Sequence, residues 1–294
     1  MKTNKQVLKT AGLVLAAGLL LFFAIAAASA LSGKTAEFVY EKAVYTADAA
    51  GVEEIRIKVR NMAVQVTPSP GNEVAIHYYT CEKDPYEVTL EGGVLQLKYK
   101  NDILFNMQGW FSGISAVFGT ADPKVEVMVP AAYAGMLQLN SSNARAAVSG
   151  LSQLGELRID TSNAPIEVSD ISAALVSAQT SNGAVTLDRA LVAGAADLRS
   201  SNGMLTARQV SAKDSLRMQT SNGRIALEGV SSASIELKSS NGSISGSVNG
   251  KRSDYTISSD TSNGDDSLGD GGKGPFKLTV RTSNGNIDIR FPEE

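Results

Sequence analysis

From residue 137 to the C-terminus, apolar and polar residues alternate one for one in short runs, and the runs return about every twenty residues. Between them recurs the word Ser-Asn, usually followed by Gly. Its asparagines are Asn143, Asn163, Asn182, Asn202, Asn222, Asn241, Asn263 and Asn284, separated by 20, 19, 20, 20, 19, 22 and 21 residues. So regular a period marks a solenoid or an array.

Six residues before each asparagine stand Leu137, Leu157, Val176, Ala196, Leu216, Ile235, Ile257 and Leu278. Four before it stand Leu139, Ile159, Ala178, Leu198, Met218, Leu237, Ser259 and Val280. The columns between are polar, as in Gln138, Arg158 and Ser177 or Asn140, Asp160 and Gln179. Alternation of period two is a half-buried β-strand; a helix would bring its apolar residues round every three or four positions. A second strand follows each motif, with Ile166, Val185, Leu205, Ile225, Ile244 and Ile287 three residues past the asparagine. The motif between the strands is turn chemistry, because Asn and Gly accept positive φ at least cost.

Asn-Gly is also a hairpin signal. A coil is favoured because stacking equivalent residues at about 4.8 Å lets the Asn and Ser/Thr side chains form ladders. Charge order agrees: Asp197, Arg217 and Glu236 alternate in sign along one outer column, and Lys238, Asp260 and Arg281 along another. The expected fold is all-β, a parallel β-solenoid of coils about twenty residues long, with one N-terminal transmembrane helix.

Residues 131–294 form the regular part, and 32–130 read as a degenerate, capping part. There "IRIKVRNMAVQV" aligns Asn61 with the motif asparagine and keeps Ile55, Ile57, Val64 and Val66 in phase. A solenoid needs an atypical terminal coil to seal its core. An aromatic-rich insert at 102–122 carries no charge between Asp102 and Asp122, and its apolar residues, Trp110, Phe111 and Phe118 among them, fall at helical spacing. It reads either as a short amphipathic helix closing the end or as a surface for a membrane or partner.

Between Lys9 and Lys34 no residue is charged, and about 20 apolar residues suffice to cross a bilayer. Residues 10–31 are therefore expected to anchor the chain. Lys2, Lys5 and Lys9 keep residues 1–9 cytoplasmic and send the body outside. The alternative is a signal peptide cleaved at Ala28-Ser29-Ala30, which would release a secreted protein. Beyond these three lysines the chain holds 24 basic and 30 acidic residues, so nucleic acid is not an expected partner.

Chemistry-bearing residues are sparse. Cys81 is the only cysteine and His77 the only histidine, and no phosphate-binding loop or paired-cysteine zinc motif occurs. No cofactor or catalytic residue is expected. The enzyme alternative is a polysaccharide-acting β-helix using Asp160, Asp197, Arg199, Arg217 or Glu236, but alternating charges on a straight ladder are what solubility alone produces. Asp260, Asp265, Asp266 and Asp270 are weak calcium candidates, since hard oxygen ligands suit that ion.

"VEVMVP" followed by a train of L-x-[ST]-S-N-G-x-[IVL] units resembles the bacterial β-strand-repeat family of unknown function labelled "putative adhesin". It is also similar to the membrane-tethered accessory proteins of Lia-type cell-envelope-stress systems. The resemblance spans roughly residues 50 to 291 and implies a β-solenoid exposed at the envelope, with no catalytic residues to carry over. Two functions are thus expected: a non-enzymatic surface protein binding envelope polymers or proteins as adhesin or scaffold, or a membrane-anchored accessory of stress signalling.

Overall fold

The computed structural model describes residues 40–81, 85–100 and 124–292. Two compact units divide the chain, Met1–Val39 and Tyr40–Glu294, and the described residues lie in the second. The expected anchor at 10–31 and the insert at 102–122 fall outside them. No helix among the described residues is long and apolar enough to cross a membrane.

Among the described residues twenty-one strands join in one hydrogen-bonded sheet. The first seven are β1 (Glu41–Asp48), β2 (Glu54–Lys58), β3 (Ala63–Ser69), β4 (Glu73–Thr80), β5 (Tyr86–Glu91), β6 (Val94–Tyr99) and β7 (Lys124–Pro130). Next come β8 (Met136–Ser141), β9 (Ala146–Ser149), β10 (Leu154–Thr161), β11 (Ile166–Thr180), β12 (Val185–Val192), β13 (Ala195–Ser200) and β14 (Leu205–Ala212). The last are β15 (Ser215–Gln219), β16 (Ile225–Ser232), β17 (Ser234–Lys238), β18 (Ile244–Val248), β19 (Tyr255–Thr261), β20 (Phe276–Thr282) and β21 (Ile287–Arg290).

Strands that precede the motif stack in one parallel column, in the order β6, β2, β8, β10, β11, β13, β15, β17, β20, β19. Strands that follow it stack in a second parallel column, β7, β3, β9, β11, β12, β14, β16, β18, β21. One column hands over to the other at each Asn corner, so the arrangement is solenoid-like. Inward residues are stacked like upon like: Ile55, Leu137, Leu157, Val176, Ala196, Leu216 and Ile235 occupy successive levels, and all are buried.

Five successive coils also bend once more, seven residues past the asparagine. Gly150, Asp170, Arg189, Gln209 and Gly229 stand there, all with φ between 47° and 76°. The bend turns further residues inward, such as Ile171 with Ala173 or Val210 with Ala212. Three of these five residues are not glycine, and an L-residue in that region costs about 1–2 kcal/mol.

Sequence order and stacking order differ at both ends. β2 lies between β6 and β8, and β20 lies between β17 and β19. The coils pushed outward carry the closing segments. Beyond β6 and β7 the antiparallel strands β5, β4 and β1 extend the sheet. Beyond β19, Ile257 and Gly271 exchange backbone hydrogen bonds of 2.7 and 3.2 Å, and Arg252 holds that loop through Leu268 O at 2.8 Å. An unprotected edge strand invites pairing with another chain, so the coil that brings its own cover belongs outermost.

This order corrects one expected column. Lys238 faces Arg281, and Arg281 faces Asp260, so two cations are neighbours where alternating signs were expected. By contrast Asp197, Arg217 and Glu236 do follow one another.

Candidate functional site

The Asn corner is built from three interlocking rows. In the outermost, each asparagine Nδ2 donates to the Oδ1 of the neighbouring level. Eight such bonds of 2.6–2.8 Å run from Asn61 through Asn143, Asn163, Asn182, Asn202, Asn222 and Asn241 to Asn284 and Asn263. Every amide points the same way along the stack, so the dipoles reinforce one another.

The second row consists of buried hydroxyls two residues before the asparagine. Thr220 Oγ1 donates to Gly203 O of the coil above at 3.2 Å and accepts from its own Gly223 N–H at 3.1 Å. Ser200 and Ser239 repeat both bonds. Each hydroxyl therefore staples two coils while sealing one corner.

Glycine forms the third row, for a reason other than the one expected. No motif residue has positive φ. Instead, a Cβ on Gly203 would sit 1.7 Å from Gly183 O, on Gly223 1.9 Å from Gly203 O, and on Gly242 1.8 Å from Gly223 O. The corner needs glycine because coils approach too closely for a side chain.

Outward, the first column presents regular polar lines. The residue before the asparagine is Ser142, Ser162, Ser181, Ser201, Ser221, Ser240, Ser283 or Ser262, all exposed except half-buried Ser142. Beside it run Asn140, Asp160, Gln179, Arg199, Gln219, Lys238, Arg281 and Asp260. The serine hydroxyls face solvent next to amides whose orientation is fixed.

The carboxylates weighed for catalysis are matched with arginines. Asp197 takes Arg199 in two hydrogen bonds of 2.9 and 2.7 Å, which pushes the guanidinium pKa further up. Asp160 accepts from Arg158 Nε at 3.1 Å, and Glu236 lies 3.3 Å from Arg217. His77 Nδ1 is 3.8 Å from Glu126 on the neighbouring strand, and Cys81 is half-buried.

Nor do the four calcium candidates converge. Asp266 Oδ1 accepts from the N–H groups of Leu268 and Gly269, both at 3.0 Å, and Asp270 Oδ1 caps Ser259 N–H at 2.7 Å. Asp260 faces Arg281, and Asp265 accepts through its backbone from Ile287. These residues fasten the cap; among the described residues no three potential ligands gather. Trp110, Phe111 and Phe118 lie outside the described residues.

Sequence reading missed the second bend, signalled only by Gly150 and Gly229, and it missed Arg60, which replaces serine in the row before the asparagine.

Together these rows define an all-β, solenoid-like repeat protein. The chain belongs to the Toastrack DUF4097 family, whose match covers residues 52–294. Among similar solved structures is a "putative adhesin" from Bacteroides fragilis, at 11% identity over 85% of this chain and 97% of that one, with a TM-score of 0.48. Another is a "putative cell adhesion protein" from Clostridium sporogenes, at 10% identity over 86% and 100% of the two chains, with a TM-score of 0.32. No curated protein matches.

Proposed function

We propose that this chain is a non-enzymatic cell-envelope surface protein, an adhesin or scaffold, that holds an extended envelope polymer along the Asn corner and the polar face beside it. Residues 10–31 tether it to the membrane and the body stands outside the cell. The observation that carries this reading is the row of serines, exposed at every level from Ser162 onward, beside oriented asparagines. A single hydroxyl or amide contact is worth only about 0.5–1.5 kcal/mol net. A small ligand would gain little from such a face, whereas a polymer touching many levels at about 4.8 Å spacing adds weak contacts into usable affinity.

The test is a change of length. Deleting residues 182–221 removes two whole coils and joins Ser181 to Asn222, keeping the corner sequence intact. Cosedimentation of the full-length protein with purified wall polymer is expected to weaken in this variant while its strand content per residue is unchanged. Equal binding by both proteins would show a local site and reject the polymer face.

A further inference from the structure

Arg60 departs from the pattern of the ridge it belongs to. At the other eight levels the residue before the asparagine is serine; here it is an exposed arginine whose backbone still completes the corner, Arg60 O accepting from Asn143 N–H at 2.9 Å. Its guanidinium lies over the ring of Tyr99, 4.2 Å from the centroid. Tyr99 is in turn buried and held edge-on by Tyr86, with centroids 5.6 Å apart and planes at 72°. A stacked guanidinium keeps its plane, so its donor fork is fixed in space before any ligand arrives. Arg56 and Arg158 nearby, and Arg199 farther along the stack, each engage a carboxylate. Arg60 has no carboxylate partner among the described residues.

Beside Arg60 opens a cleft of about 420 Å³, whose walls include Lys58, Asn140, Ser142, Asp160 and Ser162. The one acid there, Asp160, is already engaged by Arg158, so Arg60 sets the sign of the field beside Tyr99. Ser142 and Ser162 are the first two members of the serine row, which makes the cleft continuous with the ridge.

We propose that this cleft is an anion seat: Arg60 receives the carboxylate or phosphate of an acidic, polyhydroxylated polymer whose hydroxyls then continue along Ser142 and Ser162. The assignment rests on the polymer-binding reading above and adds the chemistry of the ligand. A planar fork matches both carboxylate and phosphate oxygens in bidentate fashion, so the two sources are separated by experiment.

Full-length protein is titrated with three probes: a hyaluronan oligosaccharide carrying carboxylates, poly(glycerol phosphate), and a neutral chito-oligosaccharide. At least one acidic probe is expected to bind about tenfold or more tighter than the neutral one, and whichever does so identifies the group. Arg60→Gln should abolish that preference. Asp160→Asn should strengthen acidic-probe binding several-fold, a gain that misfolding cannot produce. Neutral and acidic probes binding alike, or Asp160→Asn leaving acidic binding unchanged or weaker, would overturn the anion seat and leave the polymer face standing. Failure of all three probes, together with unchanged wall cosedimentation on deleting two coils, would remove both.

Discussion

Asn284 donates its side-chain amide to Asn241 across 43 positions of sequence, at 2.7 Å, while Asn263, which lies between them in the chain, stacks on the far side of Asn284. The C-terminal coil is therefore an internal layer. Ordinary solenoids fray from their terminal repeats because those have a neighbour on one side only. Here the chain end is gripped from both sides.

Truncation after Gly274 follows directly. Among the described residues β20 is the only strand that pairs with β19, so removing residues 275–294 strips the penultimate coil of its support. Hydrogen exchange should show the amides of Tyr255–Thr261 falling to unprotected rates, with β15 and β16, which keep neighbours on both sides, largely unaffected. Retained protection in β19 would mean that the coils stack in sequence order.

Replacing Thr220 by Val preserves shape and removes the hydroxyl that bridges Gly203 O and Gly223 N–H. Leaving buried backbone groups unpaired costs about 1–3 kcal/mol each, so chemical denaturation should show a loss of about 2–3 kcal/mol. Ser221→Ala, one residue away but exposed, should stay within about 0.5 kcal/mol of wild type. Equal effects at both positions would contradict the staple.

The bend row makes the opposite prediction for a substitution toward glycine. Gln209 holds φ at 49° and is exposed. Gln209→Gly relieves that backbone and should raise stability by about 0.5–1 kcal/mol after the entropy of the freer unfolded chain is subtracted. A destabilised variant in thermal melts would show that the Gln209 side chain matters more than its φ.

At the same bend Asp170 accepts two hydrogen bonds from Arg189, 2.6 and 2.8 Å. That bonding, ahead of any other influence, holds the Asp170 carboxyl below the ordinary aspartate range. A depressed folded-state value means stability that is present above the unfolded pKa of about 3.9 and lost as pH falls through the lower folded value. Both groups are fully exposed, so the effect is small and screened. The melting-temperature gap between wild type and Asp170→Asn should therefore be largest near neutrality and close on acidification. A gap that widened in acid would reverse the assignment.

Much of this was legible in the sequence because a period of two can be checked level by level. Ile55, Ile57, Val64 and Val66 placed Asn61 on the ladder although its Ser and Gly are gone. Stacking order was not legible, since Ile257 and Leu278 present equivalent apolar side chains and either coil fits either slot. Only the surplus length of "GDDSLGDGG" marked the coil that carries the cap. The corner glycines were found but misread, because φ belongs to one residue whereas the clash belongs to the coil above. Asp170, Arg189 and Gln209 concealed a bend that Gly150 and Gly229 alone announced. At the candidate site, serine spacing exposed the ridge, while Arg60 gains its meaning only from Tyr99, distant in sequence and adjacent in space.

Order also determines the sign of an electrostatic experiment. Lys238 stands directly opposite Arg281 and one level away from Asp260, and like charges facing each other across strands are unfavourable. Lys238→Glu turns the pair into an attractive one, so stability should rise by about 0.2–1 kcal/mol at low salt, and the gain should shrink as added salt screens it. Were the coils stacked in sequence order, the new glutamate would face Asp260 and the same substitution would destabilise. A urea titration at two salt concentrations distinguishes these outcomes by sign alone, without reference to the absolute stability of either protein.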